Sequence, residues 1–180
     1  MYSHIEKMGS RYHSLETHIW IHQDVFSIQW WTIVLLNALF FILLIILIDR
    51  SRILLITLAF VVNFIIVGLA DEIGTFYDRW SYPHQLLIFT HRLNAVDFAI
   101  VPVLMALCYQ FFSKWKVYLL AEAIISAVIC FIGIPVFVYF NMYKLENWNY
   151  LYSFIVTILM FILSKMILDF LRNKGKRYSH

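Results

Sequence analysis

Three acids, Asp71, Glu72 and Asp78, stand with Arg79 in the stretch VGLADEIGTFYDRWSYPHQ, directly after a long apolar run. Carboxylates grouped at the end of a membrane helix can bind a cation or relay a proton. If the helix continues past Ala70, Asp71, Thr75 and Asp78 share one face, and Glu72, Phe76 and Arg79 share the next. The plainer expectation is an outer rim in water, with Arg79 as local partner and Trp80 and Tyr82 fixing depth. Acids just beyond an apolar run meet no hydrocarbon, so they carry no insertion cost. Tyr82 precedes Pro83, which favours extended chain and ends the helix.

A second polar group is His13, His18, His22 and Asp24. His18 and His22 are four residues apart, so one helix face presents both to a metal, and Asp71 or Glu72 could add a further ligand. No H-E-x-x-H motif is present, and His22 also continues an apolar stripe. Surface or packed histidines are the plainer reading, and no metal is assigned.

Glu122 and Lys165 lie inside apolar runs, each about five or six residues, or roughly 8–9 Å, from the same end of its span. Charges at such depth pair or face a bundle interior, so an intramembrane charge pair is expected. A bond from Lys165 to Asp169 one turn on, or snorkelling of its long stem, is the alternative. Asp97 reads as the acid of a helix cap opened by Asn94. Cys108 and Cys130 lack the spacing of a metal or redox motif and read as small buried hydrophobes. No nucleophile elbow, phosphate loop or intramembrane aspartate pair appears, so no catalytic residue and no cofactor are assigned.

These residues are set among elements that only a membrane explains. Of 180 residues, 62% are hydrophobic and 14% charged, and the mean hydropathy is +0.77. Soluble domains average about 45–50% apolar and about 25% charged residues. Apolar runs cover 28–48, 53–70, 96–112, 117–140 and 150–171, each near the roughly 20 residues that span a bilayer. The sequence thus predicts an all-α integral membrane protein with five spans in a compact bundle. Residues 1–27 form an extracytoplasmic amphipathic segment, 28–171 the membrane domain and 172–180 a basic cytoplasmic tail. The N-terminal stripe Met8, Tyr12, Leu15, Ile19, His22 and Phe26 predicts one helical face lying on the outer leaflet. HQLLIFTHRLNAVD predicts a similar face through Leu86, Phe89, Leu93 and Val96. Pro102 and Pro135 should kink the third and fourth spans, and Ala123, Ser126, Ala127 and Gly133 allow close helix approach.

Basic residues give the orientation. Arg50 and Arg52, Lys114 and Lys116, and Arg172, Lys174, Lys176 and Arg177 fall on one side in short segments. The positive-inside rule makes that side, with the C-terminus, cytoplasmic and leaves the N-terminus outside. Trp30, Trp31, Trp148, Tyr150 and Tyr152 mark the outer boundary, and Trp115 and Tyr118 the inner. The net charge of +3 is accounted for by this orientation and calls for no nucleic acid.

Residues 63–171 resemble a family of small multi-pass membrane proteins of spore-forming Gram-positive bacteria with no assigned activity. The resemblance is carried by WSYPHQLL, FAIVPVLMALCYQFF and, above all, IPVFVYFNMYKLENWNYLYSF, in which a tryptophan and an asparagine open the last span. It implies a bacterial plasma membrane protein and supplies no catalytic residue. Family members carry an acid shortly after the Ile-Pro of the fourth span, whereas 136–140 here contain none. Three functions follow in order: a non-enzymatic component that binds a membrane-protein partner or self-assembles; a small permease or channel subunit using Glu122 and Lys165; and an outer-face lipid enzyme using the acids and histidines.

Overall fold

The computed structural model describes residues 2–88 and 96–177, and these are mostly helical. Helix α1, Tyr2–Ile19, widens into a π-turn at Trp20–Asp24. Helix α2 is Ile28–Leu47, opened by Ser27, whose side chain accepts the Trp30 N–H. A single tight turn, Arg50–Arg52, leads into α3, Ile53–Phe76. A π-turn at Val96–Ile100 precedes α4, Val101–Phe111. Helix α5, Trp115–Val128, a π-turn at Ile129–Gly133 and α6, Ile134–Tyr139, form one uninterrupted kinked run. Helix α7, Tyr150–Arg177, closes the fold and carries into the segment expected to be a tail.

Both internal π-turns have the same cause. A proline lacks the N–H that would bond four residues back, and its ring crowds that carbonyl. Residue 98 lies four before Pro102 and residue 131 four before Pro135, each inside a π-turn. Widening the turn removes the clash without breaking the helix.

Among the described residues, four helices are long and apolar enough to cross a membrane: Ile28–Leu47, Arg50–Phe76, Trp115–Tyr139 and Tyr150–Lys174. Only 11–28% of their most apolar stretches is buried, so most of this greasy surface faces outward, as lipid contact requires. The fifth apolar segment, Val96–Phe111, is shorter and extends about 24 Å at 1.5 Å per residue, below the ~30 Å of a hydrocarbon core. It is also the most enclosed element, with Val101, Val103, Met105, Ala106, Cys108 and Tyr109 all buried. It packs on α2, α3 and α5. Its last turn holds the opposite end of the bundle from its first. Gln110 accepts the Asp49 N–H and donates to the Leu47 carbonyl, at the start of α3. Asp97 joins Tyr82, which in turn reaches Asp71 near the end of α3.

The architecture is all-α, with one short strand pair between the helices. Residues Trp80–Ser81 (β1) pair antiparallel with Lys144–Leu145 (β2), Trp80 opposite Leu145. Two matched helix ends create this pairing. After α3, Asp78 takes φ 51°, and Asp78 and Arg79 donate back to Thr75 and Gly74. After α6, Asn141 takes φ 56°, and Asn141 and Met142 donate back to Val138 and Phe137. Both are left-handed caps that satisfy the last carbonyls and reverse the chain. The Glu146 N–H to Arg79 carbonyl bond then extends the ladder.

Candidate functional site

Helix α3 buries Ile56, Ala59, Asn63, Val67, Asp71 and Gly74. These positions recur every three or four residues, so Asp71 lies on the inward stripe of a helix that does not stop at Ala70. Its side chain is 4% exposed. The expected rim of Asp71, Glu72 and Asp78 is therefore divided: Glu72 and Asp78 are exposed, whereas Asp71 belongs to the interior. Trp80 and Tyr82 do not act as outward anchors. Trp80 Nε1 donates to Asp71 Oδ1 at 2.8 Å, and Tyr82 Oη lies 2.5 Å from the same oxygen. Arg79 contributes backbone bonds to Gly74 and Glu146, and among the described residues no ion pair joins it to Asp71 or Asp78.

Gly74 makes the inward turn of Trp80 possible. A Cβ at that position would lie 1.9 Å from the Trp80 ring, a separation no packing tolerates. The indole therefore occupies the space that any other residue would fill.

Tyr82 Oη also lies 2.6 Å from Asp97 Oδ2. One hydroxyl carries one proton and cannot donate to both carboxylates. Tyr82 therefore donates to one of the two at a time and links α3 to the start of the α4 segment. Burial, followed by the charges of Asp97 and Asp71, pushes the Tyr82 phenol well above its ordinary value. The neighbouring Tyr143 is raised for the same reasons, burial first. Asp97 thus enters a side-chain cluster across the bundle, and the Asn94 cap expected for it lies outside the described residues.

The cluster lines a partly open cavity of about 130 Å³. Val67 and Ala70 of α3, Ile100 and Val101 at the α4 kink, Ile129 and Gly133 at the α5–α6 kink, and Val156 and Met160 of α7 form its apolar walls. Trp80, Tyr82, Tyr143 and Trp148 complete the upper wall, with Trp80 against Trp148 and Tyr82 against Tyr143 at ring distances of 5.4 and 5.3 Å. Trp148 Nε1 donates to Ser153 Oγ, and Asn149 Oδ1 caps α7 by accepting the Tyr152 N–H. The Trp-Asn pair that opens the last span thus sets one wall of the cavity. On the far side of Trp80 and Tyr82 is an open cleft of about 600 Å³ that includes Tyr12, Glu72, Asp78 and Glu146.

The histidines lie elsewhere. His18 and His22 are exposed and stacked at 4.2 Å, and His22 Nδ1 bonds the His18 carbonyl. Among the described residues no group of three His, Cys, Asp or Glu side chains is arranged to hold a metal, so His18, His22, Asp71 and Glu72 are not brought together as ligands. Asp24 instead is buried against His84 at 2.6 Å. With Trp20 and Trp30 donating to the Gln85 and Leu86 carbonyls, it ties the N-terminal segment to the loop before α4. The Asp24–His84 contact joins residues sixty apart, and no local pattern announces it.

Glu122 and Lys165 are both 1% exposed, yet no direct bond joins them. Lys165 Nζ lies 3.7 Å from Asp169, 3.3 Å from the Ser113 carbonyl, and 4.6–5.2 Å from the ring centres of Tyr118, Tyr109 and Trp115. Neither Glu122 oxygen has a hydrogen-bond partner, although Cys108 and Tyr118 are close neighbours. The bond from Lys165 to Asp169 is the one formed. Three aromatic rings supply the remaining stabilisation by cation–π attraction.

No family model matches this chain, nor does any curated protein or solved structure.

Proposed function

We propose that the chain is a non-enzymatic multi-pass component of a bacterial plasma membrane that recognises a small ligand, or a group presented by a membrane-protein partner or a second copy, in its outer cavity. The observation that carries this reading is the partly open cavity lined by Asp71, Tyr82 and Asp97 and by residues of two proline-induced π-turns. Ligand sites are characteristically apolar hollows with a few convergent polar groups, and π-turns concentrate at functional sites. The bacterial setting rests on the resemblance to proteins of spore-forming Gram-positive organisms.

The reading includes five crossings. Helix α4 is short, but Gln110 at its end bonds Asp49 just before α3, and Asp97 before its start reaches Asp71 of α3 through Tyr82. A segment wrapped by protein need not match the bilayer, because the bundle satisfies its ends. Arg50, Arg52, Lys114, Lys116, Arg172 and Lys174 then share the cytoplasmic side. The exposed Met8, Tyr12, Leu15 and Ile19 stripe of α1 suits the outer leaflet. Native mass measurement in mild detergent tests the binding reading. The expected result is a bound small molecule or partner on the wild-type chain that is lost when Ala70→Phe fills the cavity. Wild-type and filled chains both running bare and monomeric would contradict it.

A permease is the second reading, favoured by Glu122. A carboxylate with two unpartnered oxygens deep in a bundle is costly, and such groups mark proton or ion paths. Proton uptake by reconstituted protein that disappears in Glu122→Gln would promote this reading above the first.

A further inference from the structure

We infer that Glu122 is a one-sided proton-binding site, reached by water from the cavity and closed at the opposite end by Lys165. The buried residues of the α5–α6 run are Tyr118, Glu122, Ser126 and Cys130, each at most 1% exposed. They recur every four positions and so form one ridge along the helix. Helix faces packed inside a membrane bundle are ordinarily apolar or small. Here all four residues carry a polar group: a phenol, a carboxyl, a hydroxyl and a thiol. The ridge begins at the cavity. Cys130 Sγ lies 3.8 Å from Thr157 Oγ1, and Thr157 belongs to the cavity lining.

Both Glu122 oxygens and the Ser126 hydroxyl are buried without a hydrogen bond. Residues four apart on a helix stand roughly 6 Å from one another. One water making two hydrogen bonds of about 2.8 Å spans that distance. Buried waters occupy places where polar groups are otherwise unsatisfied. A cavity of about 130 Å³ has room for several of them. Hydroxyls and waters in line pass protons, and Glu122 is the one carboxyl on the line. A hydronium in the cavity gives its proton to the Glu122 carboxylate, leaving water and a neutral acid, and release reverses the step.

The far end is shut. The titratable groups facing Glu122 are Cys108 of α4, Lys165 of α7 and Tyr118 of its own helix. Tyr118 commits its hydroxyl to the Phe161 carbonyl, and its ring lies 4.6 Å from Lys165 Nζ. Asp169 and the Ser113 carbonyl hold that ammonium in place. A fixed positive charge in a narrow passage excludes protons, so a proton on Glu122 leaves by the way it came. The site needs the cavity only as a source of water, not a ligand in it, and is therefore independent of the binding reading.

The test uses the full chain in nanodiscs and follows carboxyl groups by infrared spectroscopy after a pH jump. The expected result is a carboxylic acid band in the wild type that is missing from Glu122→Gln. Identical pH-difference spectra would overturn the site. Ala70→Phe, which fills the cavity, should slow the appearance of that band at least tenfold. Ser126→Ala, which removes a hydroxyl that makes no bond, is the milder variant and should slow it at least threefold. An unchanged rate in either folded variant would overturn the path. Liposomes with a pH-sensitive dye inside then test the closed end. Wild-type protein should carry no steady proton flux across the membrane. A flux that Glu122→Gln abolishes would overturn the one-sided site and favour a permease.

Discussion

The two ends of the bundle treat buried charge in different ways. At the end that carries β1 and β2, Asp71 is met by Trp80 and Tyr82, nine and eleven residues further along the chain. The left-handed cap at Asp78 turns the backbone so that these side chains fold back over the helix that precedes them. At the opposite end, Glu122 and Lys165 sit within regular helices, where no turn can return a donor. Lys165 collects Asp169, the Ser113 carbonyl and three rings, whereas Glu122 collects no hydrogen bond. An irregular segment at a membrane boundary can thus satisfy a buried acid with local, uncharged donors. A charge in the middle of a helix depends on whatever the neighbouring helices supply.

The largest expected effect separates Lys165 from Glu122. Lys165→Ala removes a buried ammonium and uncovers Asp169, and should cost about 3–5 kcal/mol, the range for breaking a buried pair. Glu122→Gln removes a charge that no donor stabilises, so the melting temperature in detergent should stay level or rise. A double-mutant cycle should then show Lys165 coupled to Asp169 by about 0.5–3 kcal/mol and more weakly to Glu122. Strong coupling to Glu122 would restore the direct pair and erase the contrast.

The next effect belongs to the end of the bundle that holds Asp71. Gly74→Ala places a methyl group where the Trp80 ring lies. Forced repacking of this kind costs about 1–3 kcal/mol, and the displaced indole also leaves Asp71. Thermal melts should show the loss, and tryptophan emission should shift to the red. Gly68→Ala, where a Cβ meets nothing within 4 Å, should leave both unchanged and serves as the control.

A smaller effect concerns alkaline pH. Tyr82 and Tyr143 are raised in the folded state above the unfolded value near 10. The stability carried by their neutral form is complete below about pH 10 and is lost as pH rises toward the folded values. Absorbance at 295 nm should show the same ionisation amplitude near pH 10 in the wild type and in Tyr82→Phe. A smaller amplitude in the variant would mean that Tyr82 titrates as an exposed phenol and that the cavity wall is open.

Much of this architecture was legible in advance. Apolar runs located the four long apolar helices, and the prolines located two of the π-turns. Short-range geometry also held a signal that hydropathy hid. The spacing of Asn63, Val67, Asp71 and Gly74 continues one helical face, but the change from apolar to acidic letters at Asp71 suggested that the helix was leaving the membrane. Hydropathy registers the cost of burying an acid and not the donors that offset it. Gly74 was the clue to those donors, since a small residue beside an aromatic-rich turn leaves room for a ring. Contacts between distant segments, such as Asp24 with His84 and Lys165 with the carbonyl of Ser113, depend on how the helices stack, which periodicity along one helix cannot convey.

The contrast between Asp71 and Glu72 tests the account most directly, because neighbours in sequence are placed on opposite sides of the cavity wall. Single cysteines replace each residue in a chain lacking Cys108 and Cys130, both of which are buried. Intact cells are then treated with a membrane-impermeant maleimide. The account predicts rapid labelling of Glu72→Cys from outside, and of Asp71→Cys only after denaturation. Equal labelling of both in intact cells would return Asp71 to the aqueous rim and remove that wall from the cavity.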